Sequence, residues 1–94
     1  MKTAVVQIGN SDNKLTQADW AAFVQEISNC VGKWAFQLHF FSCSFGSDPW
    51  QNAAWIFEIS EDKAEKIKED LRVKAFRFNQ ESIAWLEGEA EFIK

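Results

Sequence analysis

Proline occurs once in this chain, glycine four times, cysteine twice, histidine once and tyrosine not at all. Each shortage excludes something. No low-complexity tract, internal repeat or interdomain linker is present. Cys30 and Cys43 lack the spacing of a zinc site or a C-x-x-C redox pair. The aromatic content makes a disulfide staple unnecessary, so both are read as free thiols packing as small hydrophobes. A lone imidazole, His39, has no ligand cluster and no neighbouring nucleophile, and it reads as structural or half-exposed. There is no glycine-rich phosphate loop, no H-E-x-x-H and no G-x-S-x-G. No apolar-flanked pair of carboxylates suggests an acid–base couple. Neither cofactor nor metal is therefore expected. Long hydrophobic runs are also missing: nothing approaches the ~20 residues that span a bilayer. The first apolar run is broken by Gln7 and Gly9, so no leader is expected.

What is there is aromatic and mildly acidic. Five Trp and nine Phe make up 15% of the chain, and 47% of it is hydrophobic. That composition excludes intrinsic disorder. Ninety-four residues make one domain, spanning 1–94, which buries somewhat over ~60% of its unfolded surface. A net charge of −4 suits a soluble cytoplasmic protein and disfavours a binder of phosphate backbones.

Residues 34–60 organise the chain, holding three of the Trp and five of the Phe. They read as two strands, 34–45 and 53–60, around the turn formers Gly46, Ser47, Asp48 and Pro49. Strand side chains alternate. Trp34, Phe36, Leu38 and Phe40 therefore share one uniformly apolar face, expected to be buried. Gln37, His39, Phe41 and Cys43 share a mixed face. In the second strand Trp55, Phe57 and Ile59 oppose Ala54, Ile56 and Glu58. A hairpin alone is marginal in water, so the rest of the chain must cover its aromatic side. The expected core is Phe36, Phe57, Trp55, Trp20, Phe23 and Ile67.

Residues 3–9 are a β-branched strand. A helix over 15–31 follows, with Thr16 as N-cap, Asp19 at its third position, and Leu15 and Trp20 at the spacing of a hydrophobic staple. Its apolar stripe is Trp20, Phe23, Val24, Ile27 and Val31, and Gly32 is the expected stop. Ser60 starts a second helix whose stripe is Ala64, Ile67, Leu71, Ala75 and Phe78, with its end near 76–78. The intervening charges form a solvated face rather than a binding patch. A last strand runs over 82–87, and the alternating Glu87, Glu89 and Glu91 allow its extension along an acidic edge.

Strand, helix, strand, strand, helix, strand is the ferredoxin-like βαββαβ order: an α+β sandwich with a four-stranded antiparallel sheet and two helices on one face. In this topology three polar loops meet at one end. They bring together Asn10, Ser11, Asp12, Asp48, Trp50, Gln51, Asn52, Asn79 and Gln80, beside the start of the first helix, as a candidate ligand site. Turn and cap chemistry is the simpler account of the same residues. Acylphosphatases share the fold class, but they use an arginine in the loop after the first strand. Here that loop offers only Lys14, so their activity is not carried over. RNA-recognition motifs need aromatics on the open face of the first and third strands and a basic surround; the first strand here has no aromatic.

The expectation is a small non-enzymatic binding or accessory module, acting through an unidentified protein or a small polar ligand. The alternative is a minimal enzyme using Asp12 or Asp48 as base, and single-stranded nucleic-acid binding ranks below both. A homodimer through the open sheet face is also expected, with Val5, His39, Phe41, Ile56 and Trp85 as interface candidates and Ile83 beside them. In the competing arrangement Trp85 turns to the helix side.

Overall fold

The computed structural model describes residues 1–10, 14–44 and 51–94. The expected turn at 46–49 and the candidate residues Ser11, Asp12, Asp48 and Trp50 lie outside the described residues. The elements are β1 (Lys2–Gly9), α1 (Gln17–Trp34), β2 (Gln37–Cys43), β3 (Asn52–Ile59), α2 (Glu61–Arg77) and β4 (Ala84–Gly88). The strands form one antiparallel sheet in the order β2-β3-β1-β4, the ferredoxin-like topology expected from the element order.

The first helix begins as its sequence dictates; at the second, Ser60 holds the N-cap position without a side-chain cap hydrogen bond. The Thr16 hydroxyl accepts from the Asp19 backbone N–H at 3.1 Å, which satisfies one of the donors every helix start leaves open. Leu15 and Trp20, flanking that cap at staple spacing, are both buried. Gly32 does not stop α1. The helix runs on to Trp34 and closes at Ala35, whose N–H donates to the Val31 carbonyl. A glycine in the last turn costs only ~1 kcal/mol of helix propensity, and Trp34 gains a hydrogen bond to Asp70 of α2 by staying helical. The second helix ends at Arg77, and Asn79 follows at φ 55, a left-handed position that asparagine tolerates.

Registers across the sheet define its two faces, because directly opposed residues share a side. Towards the helices run the rows Leu38–Phe57–Ala4–Glu87 and Phe41–Trp55–Val6–Trp85. Ala4, Val6, Trp55, Phe57 and Ile59 are almost wholly buried beneath Phe23, Ile27 and Val31 of α1 and Ile67 and Leu71 of α2. The Trp55 indole N–H donates to the Ser28 hydroxyl at 3.1 Å, so the largest core side chain has its polar atom satisfied.

Three sequence expectations fail here, two of them for one reason. The β2–β3 register shifts between Leu38 and Phe40. The extra residue, His39, is a bulge, and a one-residue slip exchanges the faces of everything beyond it. Phe41 therefore joins the helix side and stacks on Trp55 at 5.0 Å, while Phe40 moves to the open face opposite Ile56. The uniformly apolar series of Trp34, Phe36, Leu38 and Phe40 is not a buried face: Phe36 is 70% exposed and Leu38 and Phe40 are each 50% exposed. Phe36 precedes the strand, and β2 is an edge strand exposed along its whole length, whereas the sheet core lies on β1 and β3. Trp85, a candidate for the open face, pairs with Val6 on the helix side and meets Phe57 edge to face at 6.0 Å. Ile83 packs against the same core. Residues 89–94 do not prolong β4 and are exposed.

Candidate functional site

At the loop end, Asn10 and Gln51 are buried and form an amide clasp. The Asn10 carboxamide accepts from the Leu15 N–H at 3.0 Å and donates to the Leu15 carbonyl at 3.1 Å and to Gln51 Oε1 at 2.9 Å. The Asn10 backbone N–H donates to the Gln51 carbonyl at 2.8 Å. Gln51 Nε2 in turn donates to Gln17 Oε1 at 2.8 Å. This clasp fixes the lead-in to α1 against the start of β3. Asn52 donates its backbone N–H to the Ser44 hydroxyl. Asn79 and Gln80 close the C-terminus of α2: their N–H groups reach the Phe76 and Ala75 carbonyls, and the Gln80 amide donates to the Phe78 carbonyl. Lys14 and Glu81 lie 3.8 Å apart, so the loops do converge. The amides of Asn10, Gln51 and Gln80 serve the fold itself, and among the described residues no buried side-chain N or O lacks a partner.

The open sheet face has a sharper organisation. Its middle row is Phe40–Ile56–Val5–Leu86, one residue from every strand, all apolar. Phe40 is 50% and Leu86 66% exposed at the two ends, with Val5 and Ile56 half-buried between them. On one side runs Gln37–Glu58–Thr3–Gly88, on the other Ser42–Ala54–Gln7–Ala84. An apolar stripe flanked by polar and small residues is the anatomy of an interface core with its rim. Glu58 is held in the polar row, accepting from the Thr3 hydroxyl at 2.7 Å, with His39 Nε2 at 3.9 Å. Of the interface candidates, the structure gathers Val5, His39 and Ile56 on or beside this face and sends Phe41 and Trp85 to the other. Sequence reasoning missed Phe40 and Leu86. Only the bulge signals the first, and only the strand register the second.

Two further features lie on the helix layer. A cleft of about 430 Å³ between α2 and β4 is lined by Leu71, Ala75, Phe76, Ile83 and Trp85, with Lys68 and Arg72 beside them. Its cations are engaged: Lys68 lies 3.4 Å from both Glu65 and Glu87, and Arg72 lies 2.8 Å from Glu69. Towards α1, Asp70 accepts from the Trp34 indole N–H at 3.0 Å. Burial raises the Asp70 pKa, but hydrogen bonds from Trp34 and Cys30, with Lys74 and Lys33 nearby, outweigh it and hold the carboxyl below its ordinary value. The Cys30 thiol is pushed up to about 12, chiefly by burial and then by the Asp70 charge.

Among the described residues, no group of His, Cys, Asp and Glu is arranged to hold a metal ion, and no helix is long and apolar enough to cross a membrane. No protein-family model matches the chain, and no curated protein matches it. Solved structures do. A dimeric ferredoxin-like protein of unknown function from Thermobifida fusca YX superimposes with a TM-score of 0.64 at 10% identity, covering 96% of this chain and 92% of that one. The C-terminal domain of the MgtC protein from Mycobacterium tuberculosis gives 0.60 at 10% identity, over 95% and 89%. A hypothetical Arabidopsis thaliana protein gives 0.56 at 9% identity, over 98% and 90%. Likeness at such identities is likeness of fold, and it fixes this chain as a ferredoxin-like α+β domain.

Proposed function

We propose that this chain is a non-enzymatic binding module whose working surface is the open face of its sheet, and that a second copy of the chain occupies that face. The observation that carries the reading is the unbroken apolar row Phe40–Ile56–Val5–Leu86, flanked by rows of polar and small residues. In water such a row is an exposed hydrophobic patch of the kind that marks an interaction site. Two copies related by a two-fold axis bury it against itself, because an isologous contact needs only a self-complementary surface. Sheets packed this way lie ~10 Å apart, with their side chains interdigitated. The structurally similar Thermobifida fusca protein is described as dimeric, which agrees with the reading. The loop end supports a working site less well, since the amides of Asn10, Gln51 and Gln80 are spent on the fold.

Mixing two differently isotope-labelled preparations tests the arrangement. Intermolecular nuclear Overhauser contacts among Phe40, Ile56, Val5 and Leu86 are expected. Intermolecular contacts confined to α1 or α2, or none at all, would sink the proposal.

A further inference from the structure

The chain carries ten Lys and Arg residues against fourteen Asp and Glu, and most of its cations have a carboxylate at ion-pair distance. Lys2, Lys14, Lys68, Arg72, Lys74 and Arg77 are all so paired. Among the described residues the terminal Lys94 is not, and neither are Lys33, Lys63 and Lys66. Lys33, Lys63 and Lys66 instead reach the same indole: their ammonium groups lie 4.8, 5.7 and 5.8 Å from the centre of the Trp34 ring. Lys33 comes from the last turn of α1 and Lys63 and Lys66 from the start of α2, so the cluster is assembled by packing and not by a run in the sequence. The ring beneath is anchored, since its N–H donates to Asp70 at 3.0 Å.

We infer that the Trp34 cluster is a recognition site for a phosphate group. Three like charges brought to one ring repel each other; the electron-rich indole offsets that repulsion, helped by the charge of Asp62 near Lys63 and Lys66 and of Asp70 near Lys33. The acids nearby are already committed. Asp70 takes hydrogen bonds from Trp34 and Cys30, and Asp62 takes one from the Ser60 hydroxyl. A carboxylate brings one charge, whereas a phosphate ester brings ~1.5–2 negative charges and three acceptor oxygens. That suits three ammonium groups, each with three N–H donors and no acceptor. The site is on the helix layer, away from the open sheet face, and does not depend on the proposed dimer.

The experiment follows the Trp34 indole N–H in proton–nitrogen correlation spectra, assigned by its disappearance in Trp34→Phe. Three phosphate sources are titrated: inorganic phosphate, a nucleoside monophosphate, and vesicles of phosphatidylcholine doped with phosphatidic acid. Sodium chloride at matched ionic strength is the control. A saturable shift with at least one phosphate source and none with chloride is expected. The double variant Lys63→Gln/Lys66→Gln, which alters helix-surface side chains, should weaken binding roughly tenfold or more. The strongest of the three sources identifies how the phosphate is presented. Three results each overturn the assignment: no saturable shift with any phosphate source, a shift unchanged in the double variant, or equal binding of a polyglutamate peptide, which makes the site one for acidic segments.

Discussion

Truncating Phe57 to Ala should be among the most damaging single changes available in this domain. The ring is 0% exposed and stands in the row Leu38–Phe57–Ala4–Glu87 under the helices. Removing it forfeits the transfer free energy of a buried aromatic and leaves a cavity that a close-packed sheet cannot fill, together about 3–5 kcal/mol. Within that figure the edge-to-face contact with Trp85, at 6.0 Å and 70°, accounts for ~0.5–1.5 kcal/mol. A chain of 94 residues has a total stability of roughly 5–14 kcal/mol, so at least about a fifth is at stake. Urea denaturation followed by circular dichroism reads this as a midpoint lowered by about 2–3 M, for slopes near ~1.5 kcal/mol/M. The companion is Phe36→Ala. Phe36 belongs to the same aromatic segment but is 70% exposed, so its loss should cost ~0.5 kcal/mol or less. A cost under ~1 kcal/mol for Phe57→Ala, or equal costs for the two variants, would show that the faces of the sheet have been assigned wrongly.

Three other outcomes can be checked on the same material. Asn10→Ala strips the amide clasp and leaves the buried Gln51 amide and the Leu15 backbone short of partners, so it should destabilise by about 1–3 kcal/mol in urea melts although Asn10 sits in a polar loop. Ellman's reagent should react with the exposed Cys43 at neutral pH and spare Cys30, which is buried with its thiol pushed up to about 12; equal labelling of both in the native state would contradict the packing of α1 on α2. Asp70 titrates below its ordinary value of 3.8, so its contribution to stability is present above that value and lost as the pH falls through the lower folded value. The stability gap between wild type and Asp70→Asn should therefore close on acidification, and a gap that widened would reverse the sign of the Asp70 interaction.

Much of the fold is legible in the residues. The Thr16 cap, the Leu15–Trp20 staple and the stripes of both helices follow from local rules, and the order of elements leaves little topological choice. What is not legible is phase. Alternation in β2 holds up to Leu38 and then breaks, because His39 is inserted as a bulge that no composition signal marks. Phe40 and Phe41 consequently exchange sides. The same limit applies to β4. An acidic alternation after Gly88 suggested an open-face Trp85, but pairing with Val6 turns that ring to the helices. Asn10 and Gln51 look like loop residues because burial of an amide depends on partners 41 positions apart in the chain. The cluster on Trp34 was out of reach for a related reason. Lys63 and Lys66 sit in a charge run that reads as a solvated face, and only the packing of α1 against α2 brings them to the indole of Trp34.

Sedimentation equilibrium at micromolar concentration, on the wild type and on Leu86→Glu and Phe40→Glu, tests the central claim most directly. Both substituted side chains lie at the exposed ends of the apolar row, so the fold should survive each change, as circular dichroism would verify. A carboxylate placed in a buried two-fold interface is left unpaired and desolvated, which costs several kcal/mol. The account predicts a dimeric wild type and two folded monomeric variants. A monomeric wild type, or a dimer that persists in both variants, would contradict it.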